Sequence, residues 1–202
     1  MKRRLILASP LLLLLGLGVG AAEHRLVETW IDLDRGAVQF RKLVVVGISA
    51  DRETRNRFED KFVTRLRVRD YEAVTSYSLV SDLAVVENRQ SLIDSIDEQR
   101  IDGAISVRVT RLEGSNKEDE WSASWNKSLD AGTTLRTMID ESLPQTGEKA
   151  PRLGVEVALW DTGTQTCIWA GRTGTYKLKA LQKGAGDIVA VIIDELERAR
   201  LL

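Results

Sequence analysis

The sequence predicts an α/β (α+β) fold: one domain built on a mixed β-sheet of about five to six strands with helices packed on it. Three patterns carry that expectation. Leu43-Val44-Val45-Val46-Gly47-Ile48 is a continuous, largely β-branched run, the pattern of a strand buried on both faces. Two later stretches, Phe58, Phe62, Leu66 and Ile188, Val189, Ile192, Leu196, place apolar residues at helical spacing. Leu153-x-Val155-x-Val157-x-Leu159 alternates like a strand, and Asp161-Thr162-Gly163-Thr164 makes a turn into Cys167-Ile168-Trp169-Ala170, which completes a hairpin.

Taken in order, Leu26 to Ile31 alternates weakly around Trp30 and reads as a first, edge strand. The run at Leu43 to Ile48 follows, and Ser49 or Asp51 is placed to cap the next helix. Glu53 sits in that helix's first turn, where the dipole favours a negative charge, and its Phe58, Phe62, Leu66 stripe should face the sheet. Arg55 and Glu59 stand one turn apart, a pair worth about 0.2–0.5 kcal/mol on a helix surface. Tyr71 to Leu79 alternates, with Tyr71, Ala73, Thr75, Tyr77 and Leu79 on one face, so a second parallel strand completes a βαβ unit. Ser91-x-x-Asp94 resembles a capping box and should open a helix carrying Leu92, Ile93 and Ile96. Asp102-Gly103 ends it, and Ala104 to Leu112 alternates Ile105, Val107 and Val109 against Ser106, Arg108 and Thr110. Residues 113–152 turn polar and form an insert, the hairpin follows, and Asp187 is placed to cap the last helix. The expected order is β-β-α-β-α-β-insert-β-β-α.

The first residues address the chain. Lys2, Arg3 and Arg4 precede an apolar run from Leu5 to Val19, and Gly20-Ala21-Ala22 supplies the small residues a signal peptidase needs. The run falls short of the ~20 residues of a membrane-spanning helix, and Pro10 interrupts it. Residues 1–22 are therefore expected to be a signal peptide cleaved near Ala22, and residues 23–202 a single periplasmic domain without stable membrane insertion. No cysteine follows the apolar run, so the lipoprotein box is absent.

Composition narrows the function classes. Removing Lys2, Arg3 and Arg4 takes the formal net charge from −1 to about −4, and such a balanced, slightly acidic chain argues against nucleic acid as partner. His24 is the one histidine and lies beside the expected mature terminus, which excludes a histidine triad or multi-histidine zinc site in the core. Cys167 is the one cysteine, so no internal disulfide can form; it is either buried or available for an intermolecular bridge. Gly184-Ala185-Gly186, read as the approach to the last helix, offers an anion site or, more plainly, a flexible entry. Glu118-Asp119-Glu120 lacks the alternating acids of a calcium loop. No cofactor and no metal is expected.

Of five tryptophans, Trp30, Trp160 and Trp169 fall in strands and suit the core. Trp121 and Trp125 fall in the polar insert, four residues apart, and are the candidate interaction residues, as anchors for a protein or glycan.

Glu28-Thr29-Trp30, Phe40-Arg41-Lys42 leading into Leu43 to Ile48, Arg55-x-x-Phe58-Glu59, Tyr71-Glu72-Ala73-Val74-Thr75-Ser76-Tyr77, Asp102-Gly103-Ala104 and Ile168-Trp169-Ala170-Gly171 together resemble a family of uncharacterised bacterial envelope proteins, many of them lipoproteins. In layout that family is similar to the amino-terminal domain of the Tol-system propeller protein and to periplasmic domains of curli-secretion-type assembly proteins. The resemblance implies a protein-interaction module and carries over no catalytic residue. The expected function is thus a non-enzymatic interaction or assembly module whose partner is another envelope protein. A small-ligand or glycan binder using tryptophan faces is the alternative, and a hydrolase using carboxylates alone the second alternative.

Overall fold

The structure, a computed structural model, describes residues 25–34, 38–49, 52–80, 86–112 and 152–202. The β-branched run is strand β2 (Lys42–Ile48), and its Leu43, Val44, Val45 and Val46 are wholly buried. It has strands on both sides and apolar clusters on both faces, which explains why its side chains are apolar throughout. Strand β3 (Glu72–Thr75) pairs in parallel with one side of β2, and β4 (Gly103–Leu112) in parallel with the other. From β4 the sheet continues antiparallel through β5 (Arg152–Asp161) and β6 (Thr166–Tyr176) to β1 (Leu26–Ile31) at the far edge. The order is β1-β6-β5-β4-β2-β3, a mixed six-stranded sheet with β1 at its edge. The β5–β6 hairpin closes at the turn read from the sequence, where the Thr164 N–H donates to Asp161 Oδ1 at 2.9 Å.

Helix α1 (Arg52–Arg67) makes the crossover from β2 to β3. The last helix, α4 (Leu178–Arg198), lies beside it on the same face of the sheet. The two run parallel: Gln182 Nε2 donates to Thr54 Oγ1 at 3.3 Å near their starts, and Arg69 pairs with Asp194 and Glu197 near their ends. Phe58, Phe62 and Leu66 of α1 and Ile188, Val189, Ile192 and Leu196 of α4 form one apolar core with the sheet, as their spacing required. Each such side chain taken from water contributes about 1.5–3 kcal/mol. The single turn α2 (Ser76–Leu79) follows β3 at the sheet edge, and helix α3 (Val86–Glu98) lies on the opposite face. Leu92, Ile93 and Ile96 of α3 pack there with Val44, Val46, Ala104 and Trp160.

Four local expectations are corrected. The strand expected through Leu79 stops at Thr75, and Ser76–Leu79 turns helical because a buried acid from α1 captures Ser76 and Tyr77. Helix α3 begins at Val86, so Ser91 and Asp94 lie inside it rather than forming its capping box. The preceding residues contain no breaker, and Glu, Arg and Gln propagate helix well. Helix α4 begins at Leu178, nine residues before the expected cap Asp187, and Gly184-Ala185-Gly186 is helix interior, not a loop approach to an amino terminus. Burial of Leu181 and Ala185 on the core stripe offsets the cost of about 1 kcal/mol that each glycine imposes on a helix. Finally, Arg55 and Glu59 are no surface pair, since both are buried.

Candidate functional site

In open sheets with parallel strands, ligands and partners meet the edge at the carboxyl ends of those strands, where crossovers diverge. Here the chain leaves β2 by way of α1 to β3 on one side, and returns through α3 to β4 on the other. The divergence therefore lies at the carboxyl end of β2, between Ile48 and its register partner Arg108. Helices α1 and α4 both start at this end. Leu112 and Arg152 are also paired here, at the last rung of the β4–β5 ladder, so the 113–151 stretch leaves and rejoins the sheet at one point of the same edge.

Four rungs before that end of the β4–β5 ladder, a row of alternating charge crosses four strands. Arg108 of β4 stands opposite Glu156 of β5, Glu156 opposite Arg172 of β6, and Arg172 opposite Glu28 of β1. Arg108 Nε donates to Glu156 Oε2 at 2.8 Å, with Nη2 on the same oxygen, and Arg172 Nη2 meets Glu28 Oε2 at 2.7 Å. Glu156 is 5% exposed, and its Oε1 accepts no hydrogen bond. Strand alternation places this row on the face away from α1 and α4, in line with Ala158 and Trp160. Trp160 is itself held by donating its indole N–H to Ser106 Oγ at 2.9 Å.

A second polar cluster stands beside the divergence point. Glu59 Oε1 accepts from the Gly47 N–H at 2.8 Å and the Ser76 hydroxyl at 2.7 Å, and Oε2 from the Tyr77 N–H at 3.4 Å. Burial raises its carboxyl above the usual range, while the bonds from Ser76 and Gly47, the Arg55 charge and the Tyr77 bond pull the other way. Gly47 is required here. A Cβ would stand 2.5 Å from Arg55 Cγ and 3.0 Å from Glu59 Oε1.

At the opposite end of the sheet, an open groove of about 370 Å³ runs between Phe40, Ile96 and Ile101, with Asp97, Asp102 and Asp161 on its rim. Asp102, read from the sequence as a helix terminator, accepts from the Arg41 and Lys42 N–H groups at 3.0–3.1 Å and so anchors the start of β2. Its carboxylate is structural. Among the described residues no three His, Cys, Asp or Glu side chains come together as a metal set, and no helix is long and apolar enough to cross a membrane.

Of the residues singled out from sequence, Trp121, Trp125, Glu118, Asp119, Glu120 and His24 lie outside the described residues. Trp160 and Trp169 are core residues and Trp30 packs partly buried against the second face, as their place in strands implied. Cys167 is a half-buried free thiol donating to the Trp169 carbonyl, and desolvation pushes it up to about 12, which disfavours the reactive thiolate. The charged row went unread, although part of its signal was present: Arg108 and Glu156 alternate with Val107 and Val109 in one strand and with Val155 and Val157 in the other.

No family model matches the chain, and no curated protein matches it. Among solved structures, it is similar to a PelC variant dodecamer from Paraburkholderia phytofirmans, at 13% identity and a TM-score of 0.43, covering 81% of this chain and 95% of that one. It is similar also to the PelC dodecamer from the same organism, at 15% identity and a TM-score of 0.41, over 78% and 89% of the two chains.

Proposed function

We propose that this chain is a non-catalytic module of the bacterial envelope that works in the periplasm by binding another envelope protein at the carboxyl edge of its parallel strands. The observation that carries the reading is the pairing of Leu112 with Arg152, the last rung of the β4–β5 ladder, which joins the ends of the stretch bearing Trp121 and Trp125 four rungs beyond the Arg108–Glu156 pair. Tryptophan side chains supply apolar anchoring area at interfaces, and the Arg108–Glu156 pair supplies charge to set the register. The cationic, apolar and small-residue order of residues 1–22 supports the compartment.

Crosslinking in intact cells followed by mass spectrometry tests this directly. A defined envelope protein should be captured by the wild-type chain and lost with the double replacement Trp121→Ala and Trp125→Ala. Capture that is unchanged by the double replacement removes the insert from the interface. Cell fractionation with amino-terminal sequencing tests the compartment, with Glu23 as the expected first residue. A cytosolic chain that keeps Met1 overturns it.

A further inference from the structure

The most informative anomaly is the interruption of β3. Residues 71–79 alternate like a strand, and both flanks of α2 keep extended backbone, Thr75 at φ −84° and ψ 148° and Val80 at φ −140° and ψ 140°. A four-residue helical turn is thus set into an otherwise extended run. Its neighbour is also incomplete. Strand β2 pairs with β3 only from Lys42 to Val45, so among the described residues Val46, Gly47 and Ile48 have no strand partner on that side although they pair with β4 on the other.

Ladder geometry shows which group is missing. The Asp102 N–H donates to the Lys42 carbonyl on the β4 side, and the Glu72 N–H to the Arg41 carbonyl on the β3 side. Because peptide groups alternate along a strand, Gly47 turns its N–H toward β3. In a continued parallel ladder the acceptor for that N–H would be the Ser76 carbonyl. Here the Ser76 carbonyl accepts from the Val80 N–H instead, closing the helical turn at 3.0 Å, and Glu59 Oε1 stands in its place at Gly47. The same carboxylate takes the Ser76 hydroxyl and the Tyr77 N–H, and the Ser78 hydroxyl locks the turn by donating to the Thr75 carbonyl at 2.7 Å.

We infer that Ser76–Leu79 is a two-state segment: the Glu59 carboxylate holds it as a helical turn by substituting for a backbone acceptor, and its other state continues β3 along Val46, Gly47 and Ile48. Each state satisfies the Gly47 N–H, so neither carries the penalty of about 1–3 kcal/mol for a buried unpaired donor. Glu59 therefore acts as a positioning residue. It sets the length of the edge strand beside the divergence point without touching any ligand itself.

Carbon chemical shifts of residues 76–79 and hydrogen exchange of the Gly47 amide, measured on the full chain, test the inference. In Glu59→Leu the shifts should move from helical to extended values, while the Gly47 amide keeps its protection to within about tenfold, because the Ser76 carbonyl replaces the lost carboxylate. A structural role alone would give the opposite pair: helical shifts retained and Gly47 exchange accelerated by about a hundredfold or more. That result overturns the inference. Should Glu59→Leu fail to fold, Ser78→Val alters only an exposed position, removes the lock on the turn and favours strand. It should draw the shifts of residues 76–79 toward extended values, and shifts that stay fully helical overturn the inference as well.

Discussion

The two faces of the sheet are buried to a similar depth by different chemistry. Under α1 and α4 the strands contribute apolar side chains, and Phe58, Phe62, Trp169 and Ile192 belong to one apolar cluster, with buried Arg55 and Glu59 confined to its edge over Gly47. The second face is apolar only beneath α3. Toward the carboxyl edge it changes to Arg108, Glu156, Arg172 and Glu28, and even its Trp160 is oriented by a hydrogen bond. The first face is stabilised by area, which is non-directional, and tolerates a change of shape better than a loss of volume. The second is specified by geometry, where each group depends on the one opposite.

Truncation should separate the faces most clearly. Replacing Phe62 by Ala removes a wholly buried ring from the first face and should cost about 3–5 kcal/mol in urea unfolding; a loss below about 1 kcal/mol would mean that α1 is not seated as described. On the second face the order of substitutions should matter more than their size. Glu156→Leu removes the buried acid that stands opposite Arg108 and should cost about 3 kcal/mol, whereas Glu156→Leu with Arg108→Met should recover most of that, since replacing a buried ion pair by apolar residues is often neutral. Additive losses in that cycle would show that the row is solvated. A smaller effect is expected from Trp160→Phe, which keeps an aromatic ring and deletes the donor to Ser106: about 1–3 kcal/mol, with little change in the unfolding slope.

Titration gives a further contrast, because Glu59 is raised by burial. The native state then binds its proton more tightly than the unfolded chain, so this group adds stability as the pH falls through its native value, and that increment is lost as the pH rises again. Urea midpoints measured from neutral pH down toward the ordinary carboxylate range should show the gain, and Glu59→Gln should flatten it. An unchanged slope in that variant would assign the titration elsewhere. The least consequential change is at Cys167. Its half-buried thiol should be alkylated more slowly at neutral pH in the native chain than in the unfolded one, and equal rates would contradict the raised thiol pKa.

How far the sequence could be read followed the range of the forces involved. Strand β1 and the β5–β6 hairpin were legible because alternation and turn residues act within a few positions. The start of α4 was not legible. A local reading stops at Gly184 and Gly186, while the native helix runs through them, held by Leu181 and Ala185 against the sheet. The charged row of the candidate site was not legible. Arg108, Glu156, Arg172 and Glu28 stand in four strands spread through the chain, and nothing in any one strand announces the other three.

What the residues alone determined was the set of elements and the apolar stripe of each, since periods of 3.6 and 2 decide which side chains share a face before any element has met another. The tertiary structure decided which acids and bases stand opposite one another, where the edge strand β3 ends, and that Glu59 faces a backbone N–H rather than water. Those outcomes depend on pairing and desolvation between segments far apart in the chain, and neither interaction exists until the sheet has assembled.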